Sequence, residues 1–398
     1  MAMRWKASIA VMAVVILALM GFAGCGGKAE GEKVVVKIGL TAPLSGIGAG
    51  YGEDIKAGLD MAISEINSKG GIKIGDTTYV FELVAADDEM VPEKSLSNAQ
   101  RFVLEEDIKV IWDPTANTIQ SLMGINERAG EEFLIMAYTS VPLYSQKPNK
   151  YMVTLPPPFS VYVKDWITRA LAKGWKKAGM VQTTGAYGEL WGKTFKDAWT
   201  KAGGTVVAEA PASYYTETDF TPYLTTVLAQ NPDVIFCGGP SEPTALVIDQ
   251  ARNLGFKGGF IVIDQAKLDI IEETTGMEKL EGCIGVLPVD QSIWPATLKV
   301  MERFEKEYNR RFTWEAAICY TGFHILARAM EEAGSVDDVA AIRAAFAKGN
   351  VSVTSGEELP VEYSGINDQT GALFMPGTSV IVEKGAFQPG EPIEWWKQ

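Results

Sequence analysis

Short β-branched runs alternate with amphipathic stretches from Val34 onward, and after Pro156-Pro157-Pro158 the alternation begins again. Val34–Leu40 is brief and apolar, the pattern of a buried strand. Ile55, Leu59, Ala62, Ile63 and Ile66 then recur at helical spacing up to Gly70-Gly71. Strands over 81–84, 110–112 and 133–136 follow, separated by helices near 96–104 and 118–129. Strands spaced by helices of this length predict βαβ units and a parallel sheet. The three prolines fit neither helix interior nor central strand. Beyond them, strands over 178–181, 205–207, 234–237, 260–263 and 283–286 alternate with helices over 159–172, 187–202, 220–230 and 244–254. Helices over 296–308, 314–333 and 336–347 come next, then a tail of short strands over 359–383. The expected class is α/β, two similar open sheets with ligand space at the carboxyl ends of their strands.

The amino end carries a different signal. Arg4 and Lys6 precede an apolar run from Ala7 to Ala23, which closes on Phe22-Ala23-Gly24-Cys25. A positive start, a short apolar stretch and small residues at the cut describe a secretory signal. The run is short for a spanning helix, which needs ~20 apolar residues. A cysteine directly after Ala-Gly is the pattern of a bacterial lipoprotein, so residues 1–24 are expected to be removed and Cys25 acylated. Residues 25–33 then form a polar linker, and the protein works outside the cytoplasm, lipid-anchored to a membrane.

Charge and chemistry narrow the function. A net charge of −14, to which Arg4 and Lys6 contribute positively, disfavours nucleic acid as a partner. Cys237, Cys283 and Cys319 include no C-x-x-C pair; they are read as buried free thiols, with a Cys237–Cys283 bridge as the alternative. The single histidine, His324, lies mid-helix and suits a structural role better than that of a general base. No nucleophile elbow is present. The glycines of 46–52 do not fit a dinucleotide fingerprint, and Gly192-Lys193-Thr194 lacks the first glycine of a phosphate loop. The carboxylate cluster Asp87-Asp88-Glu89 reads as a solvated loop, so no metal and no cofactor are expected. A binder fits better than an enzyme.

Several ordered segments carry a resemblance: 38–46 (IGLTAPLSG), Tyr51-Gly52 opening a helix, 65–72 (EINSKGGI), Asp87-Asp88, Ala186-Tyr187-Gly188, Thr218-Asp219-Phe220 and 250–255 (QARNLG). Together they resemble the type I periplasmic binding proteins of the branched-chain amino acid class, the solute receptors of ABC importers. The resemblance implies two doubly wound parallel-sheet lobes joined by a three-strand hinge. Lobe one would take 34–155 plus 289–359, and lobe two 156–288 plus 360–398. It also implies a monomer that closes on a small carboxylate, an amino acid or a deaminated aromatic acid, and partners with an ABC permease. A sensory receptor of the same fold is the alternative.

The family's binding positions fall on named residues. A polar turn after the third strand implies a carboxylate contact from Asn117 or Thr118, and a turn after the fourth implies Tyr138, Thr139 and Ser140. Such residues also suit ordinary helix caps. Tyr51 matches the aromatic wall, Tyr187 a tyrosine of lobe two, and Asp264 the acid that holds the ligand ammonium. An Asp after a strand is more commonly just solvated. The chain departs from the pattern at Phe159, where an Asp is usual, and at Pro240. Lys267 lies three residues past Asp264 and could reach the same cleft, whereas Trp112 is expected in the core. The added rings at Phe159, Tyr138 and Tyr51 point toward an aromatic ligand.

Overall fold

The computed structural model describes residues 33–353 and 358–397. The signal segment and Cys25 lie outside the described residues. The first sheet holds β1 (Lys33–Ala42), β2 (Ile72–Ile74), β3 (Thr77–Asp87), β4 (Val110–Asp113), β5 (Leu134–Ala137) and β6 (Met152–Thr154), in the order β2-β3-β1-β4-β5-β6. The second holds β7 (Lys177–Gln182), β8 (Thr205–Glu209), β9 (Val234–Gly238), β10 (Gly259–Val262), β11 (Cys283–Val286), β12 (Ser379–Glu383) and β13 (Ala386–Pro389), in the order β13-β12-β11-β10-β9-β7-β8. Pairing is parallel except at β2–β3 and at the β11–β12–β13 edge. In each sheet the winding reverses at its first central strand, between β1 and β4 and between β7 and β9. That reversal opens a crevice at the strand ends.

The connecting helices are α1 (Ala49–Ser68), α2 (Pro92–Glu105), α3 (Ala116–Met123), α4 (Pro142–Gln146), α5 (Ser160–Ala172), α6 (Ala186–Lys201), α7 (Thr221–Leu228), α8 (Ser241–Asn253), α9 (Leu268–Thr275), α10 (Pro295–Tyr308), α11 (Trp314–Ala333) and α12 (Val339–Ala345). Helix α1 buries Ile55, Leu59, Ala62, Ile63 and Ile66, the residues of its apolar period. Asn67 then ties its last turn to β3: the side-chain amide donates to Phe81 O and accepts from Phe81 N, both at 2.8 Å. Helices α1 and α11 cross closely at Gly58, where a Cβ would overlap the Ala316 carbonyl.

The chain passes between lobes three times, near 155–158, 287–289 and 376–378. The second return differs from the expected boundary. Val361, Tyr363, Leu373 and Met375 pack into the first lobe's core, and Leu373 N donates to Thr154 O at 3.0 Å. Lobe two therefore regains the chain only before β12, not at residue 360. The tail is also less strand-like than its composition suggests. Among the described residues of 359–378, isolated bridges such as Ile366–Leu373 replace strands, because the segment fills a seam instead of extending a sheet. Helix α3 ends at Met123, short of 129, since Asn126 turns inward to donate to Asn149 Oδ1 (2.9 Å) and Tyr151 O (3.0 Å).

Two further readings change. Asp88 is fully buried, accepting from the Thr41 hydroxyl (3.0 Å) and Met90 N (2.9 Å), while Asp87 caps Leu44 N at 2.8 Å. The acidic cluster is a turn-builder, not a solvated loop. Cys237, Cys283 and Cys319 are buried free thiols; β10 separates the first two. Trp112 is core.

Candidate functional site: the cleft between the lobes

The carboxyl ends of both sheets face one cavity of about 840 Å³. From lobe one come Tyr51, the turn Pro114–Asn117 and the turn Tyr138–Val141; from lobe two come Thr183–Tyr187, Pro240, Asp264 and Lys267. Two tyrosines owe their place to the glycine that follows each. A Cβ on Gly52 would overlap the Pro43 carbonyl, and one on Gly188 the Thr183 carbonyl. Each helix therefore starts directly on the strand-end loop before it, and Tyr51 and Tyr187 both line the cleft.

Tyr51 donates to Pro114 O at 3.2 Å and meets Tyr138 edge to face, ring centroids 5.9 Å apart, a favoured aromatic geometry. Burial, then the charge of Glu315, pushes both phenols well above their usual pKa, so they stay neutral donors.

The turn after β4 is built on Asp113. This buried carboxylate accepts from the Ser95 hydroxyl (2.9 Å) and Thr115 N (3.1 Å). Burial pushes it up to about 8, against the pull of Thr118 and the other donors. Thr118 is fully buried on Asp113 and does not line the cavity; Asn117 is exposed and does. Of the two residues implied for that contact, the structure brings only Asn117 to the site. Thr139 and Ser140 line it as well.

Phe159 stands behind the wall. It is fully buried, stacked on Trp191 at 4.1 Å and absent from the lining. It supports the site at one remove: Trp191 Nε1 donates to Asp264 Oδ1 at 3.0 Å, and the Tyr187 hydroxyl donates to the same oxygen. Among the described residues, the hydrogen bonds to Asp264 fall on Oδ1.

Sequence reasoning missed Glu315, Asp54 and Arg310, all lining residues. Glu315 enters from the first turn of α11, which Thr313 caps by accepting from Ala316 N at 3.4 Å. Lys267 Nζ donates to Glu315 Oε1 at 2.6 Å, joining lobe two to lobe one. Burial would depress the lysine, but the charge and hydrogen bond of Glu315 outweigh it and its pKa is raised. Arg311 and Asp269 make a second interlobe pair at 2.6 Å. Asp54, paired with Arg310 at 2.6 Å, is pushed up to about 6 by burial and by Glu315. Among the described residues no cluster of His, Cys, Asp or Glu is placed to hold a metal.

A model of the family described as periplasmic binding protein matches residues 35–369, most of the chain. The chain belongs to that family. This binding protein is 24% identical over 374 residues to the Leu/Ile/Val-binding protein homolog 3 of Brucella melitensis, covering 92% of this chain and 96% of that one. In structure it is similar to the branched-chain amino acid transporter substrate binding protein LivJ of Streptococcus pneumoniae in complex with isoleucine, with TM-score 0.73, 19% identity and coverage of 90% and 99%. It is similar too to an R. palustris ABC transporter solute binding protein in complex with benzoate, with TM-score 0.72, 18% identity and coverage of 90% and 96%. The fold is that of the type I periplasmic binding proteins. Membership implies work outside the cytoplasm, and no helix among the described residues is long and apolar enough to cross a membrane.

Proposed function

We propose that this protein captures an amino acid of branched-chain or aromatic type and delivers it to an ABC permease, anchored to the membrane by lipid on Cys25. The observation that carries the ligand class is Asp264: Tyr187 and Trp191 occupy one oxygen and orient the other for an ammonium group. The polar turns that carry Asn117 and Thr139-Ser140, which share the cavity, suit the ligand carboxylate. Ligand bound by both lobes stabilises the closed form through its differential affinity for it. Closure strips water from the paired groups, so a ligand lacking a partner is penalised by the polar atoms it leaves unmet.

A second reading, a deaminated aromatic acid, is favoured by the ring-rich wall of Tyr51, Tyr138 and Tyr187 and by the benzoate-bound neighbour. Thermal unfolding of residues 26–398 against leucine, isoleucine, valine, phenylalanine, tyrosine and the matching keto and aryl acids separates the two. Ligand at ~100 times its Kd adds ~2.7 kcal/mol and moves the midpoint by a few degrees. Shifts confined to α-amino acids support the first reading; shifts confined to acids without the amino group replace it with the second. Retention of the wild type in the membrane fraction, with release of Cys25→Ser, checks the anchor.

A further inference from the structure

Lys267 and Glu315 form a donor–acceptor fork that no ligand contact above uses. Lys267 Nζ spends two of its three N–H groups, on Glu315 Oε1 (2.6 Å) and Gln265 O (3.2 Å). Glu315 is 3% exposed, and its Oε2 accepts no hydrogen bond among the described residues. Both residues line the cleft, whose lining also includes Tyr51, Tyr138, Trp314 and Ile318, and Glu315 Oε2 is itself buried. A buried carboxylate oxygen left unmatched carries the full penalty of its lost hydration. A free donor and a free acceptor belonging to groups in direct contact suit one small group that both donates and accepts.

We propose that the fork reads a hydroxyl on an aromatic ring, so that the ligand is a hydroxyaryl acid or amino acid. The hydroxyl would donate to Glu315 Oε2 and accept from the third N–H of Lys267. The surrounding rings and Ile318 supply the flat apolar walls that an aryl group fills and a short aliphatic chain does not. Because Lys267 comes from one lobe and Glu315 from the other, this recognition is assembled by closure, and the ligand hydroxyl reinforces the contact between lobes. The assignment rests on the carboxylate-receptor reading above.

Matched pairs isolate the hydroxyl: tyrosine against phenylalanine, and 4-hydroxybenzoate against benzoate, by calorimetry on wild type and on Lys267→Met/Glu315→Leu. In wild type the hydroxylated member of at least one pair should bind tens-fold or more tighter, since sites built to hydrogen-bond a hydroxyl discriminate strongly against its absence. In the double variant that ratio should fall to near one, whatever loss of the interlobe pair does to both members alike. Replacing both charges with apolar side chains avoids a stranded charge; should that variant not fold, Lys267→Met/Glu315→Met gives the same comparison. A wild-type ratio near one, with either member bound, overturns the assignment and leaves the receptor reading standing. If no member of either pair binds and leucine does, the hydroxyaryl assignment falls alone. If no carboxylate in the panel binds, both fall.

Discussion

The Tyr187 hydroxyl and the Asp264 carboxylate, 77 residues apart, are hydrogen-bonded at the mouth of lobe two, with Trp191 Nε1 on the same oxygen at 3.0 Å. Both donors hold the carboxylate by one oxygen, and the proposed ammonium contact would use the other. Asp264→Asn should weaken an α-amino acid by about 2–4 kcal/mol, roughly thirtyfold to a thousandfold. Deaminated analogues should lose nothing. Titration calorimetry on the two ligand types checks this, and equal losses would mean that Asp264 acts on the fold and not on an ammonium.

Phe159 packs in the core instead of touching ligand. Phe159→Ala should therefore lower unfolding free energy by about 3–5 kcal/mol, the usual cost of emptying a buried ring site. Preference between amino and deaminated acids should not change. Urea unfolding reads the first effect and competition binding the second.

Gly188 and Gly50 make a matched contrast. A Cβ on Gly188 would overlap backbone, whereas nothing lies within 4 Å of one on Gly50. Gly188→Ala should cost about 1–3 kcal/mol through forced backbone movement, and Gly50→Ala should be neutral or add up to about 1 kcal/mol by helix propensity. Equal midpoints in denaturant would show that the close start of α6 is not needed.

His324 adds a pH dependence. Burial depresses its pKa from 6.5 to about 4, opposed by the nearby Glu65 charge, and its Nε2 accepts or donates no hydrogen bond among the described residues. The unfolded chain takes up the proton near pH 6.5 and the folded one only near 4, so stability is lost as pH falls through that window. The full loss amounts to about 3 kcal/mol at ~1.36 kcal/mol per pKa unit. The facing groups are Glu65, Lys69, Arg303 and Arg328; burial raises Glu65, but hydrogen bonds from Lys69 and Tyr320 and the Arg303 charge outweigh it and lower Glu65 to about 2. Unfolding midpoints at pH 7 and 4.5 should differ less in His324→Phe than in wild type.

Much of the fold was legible because it is written in short-range periods. Val34–Leu40 and the row Ile55, Leu59, Ile63, Ile66 declare strand and helix through neighbours within four residues, and both formed as expected. What failed was decided by contacts far along the chain. The tail of 361–375 has strand-like composition but is held as a seam by the first lobe's core. Asp88 sits in an acidic run that looks solvated, yet Thr41, on another strand, draws it inside.

The sequence by itself determined that two wound sheets would face each other with polar turns and two tyrosines at their strand ends. The Tyr-Gly pairs at 51–52 and 187–188 carry that information locally, because only glycine permits the helix to start on its loop. Tertiary structure alone decided which atoms meet. Asn117 and Thr118 are adjacent and chemically alike, but Asp113 claims one and leaves the other to the cleft. Lys267 and Glu315 are 48 residues apart in different lobes, and no local pattern could announce their pairing. Side-chain direction in a loop is set by whichever distant partner satisfies its polar atoms, and burial between two lobes makes that partner obligatory.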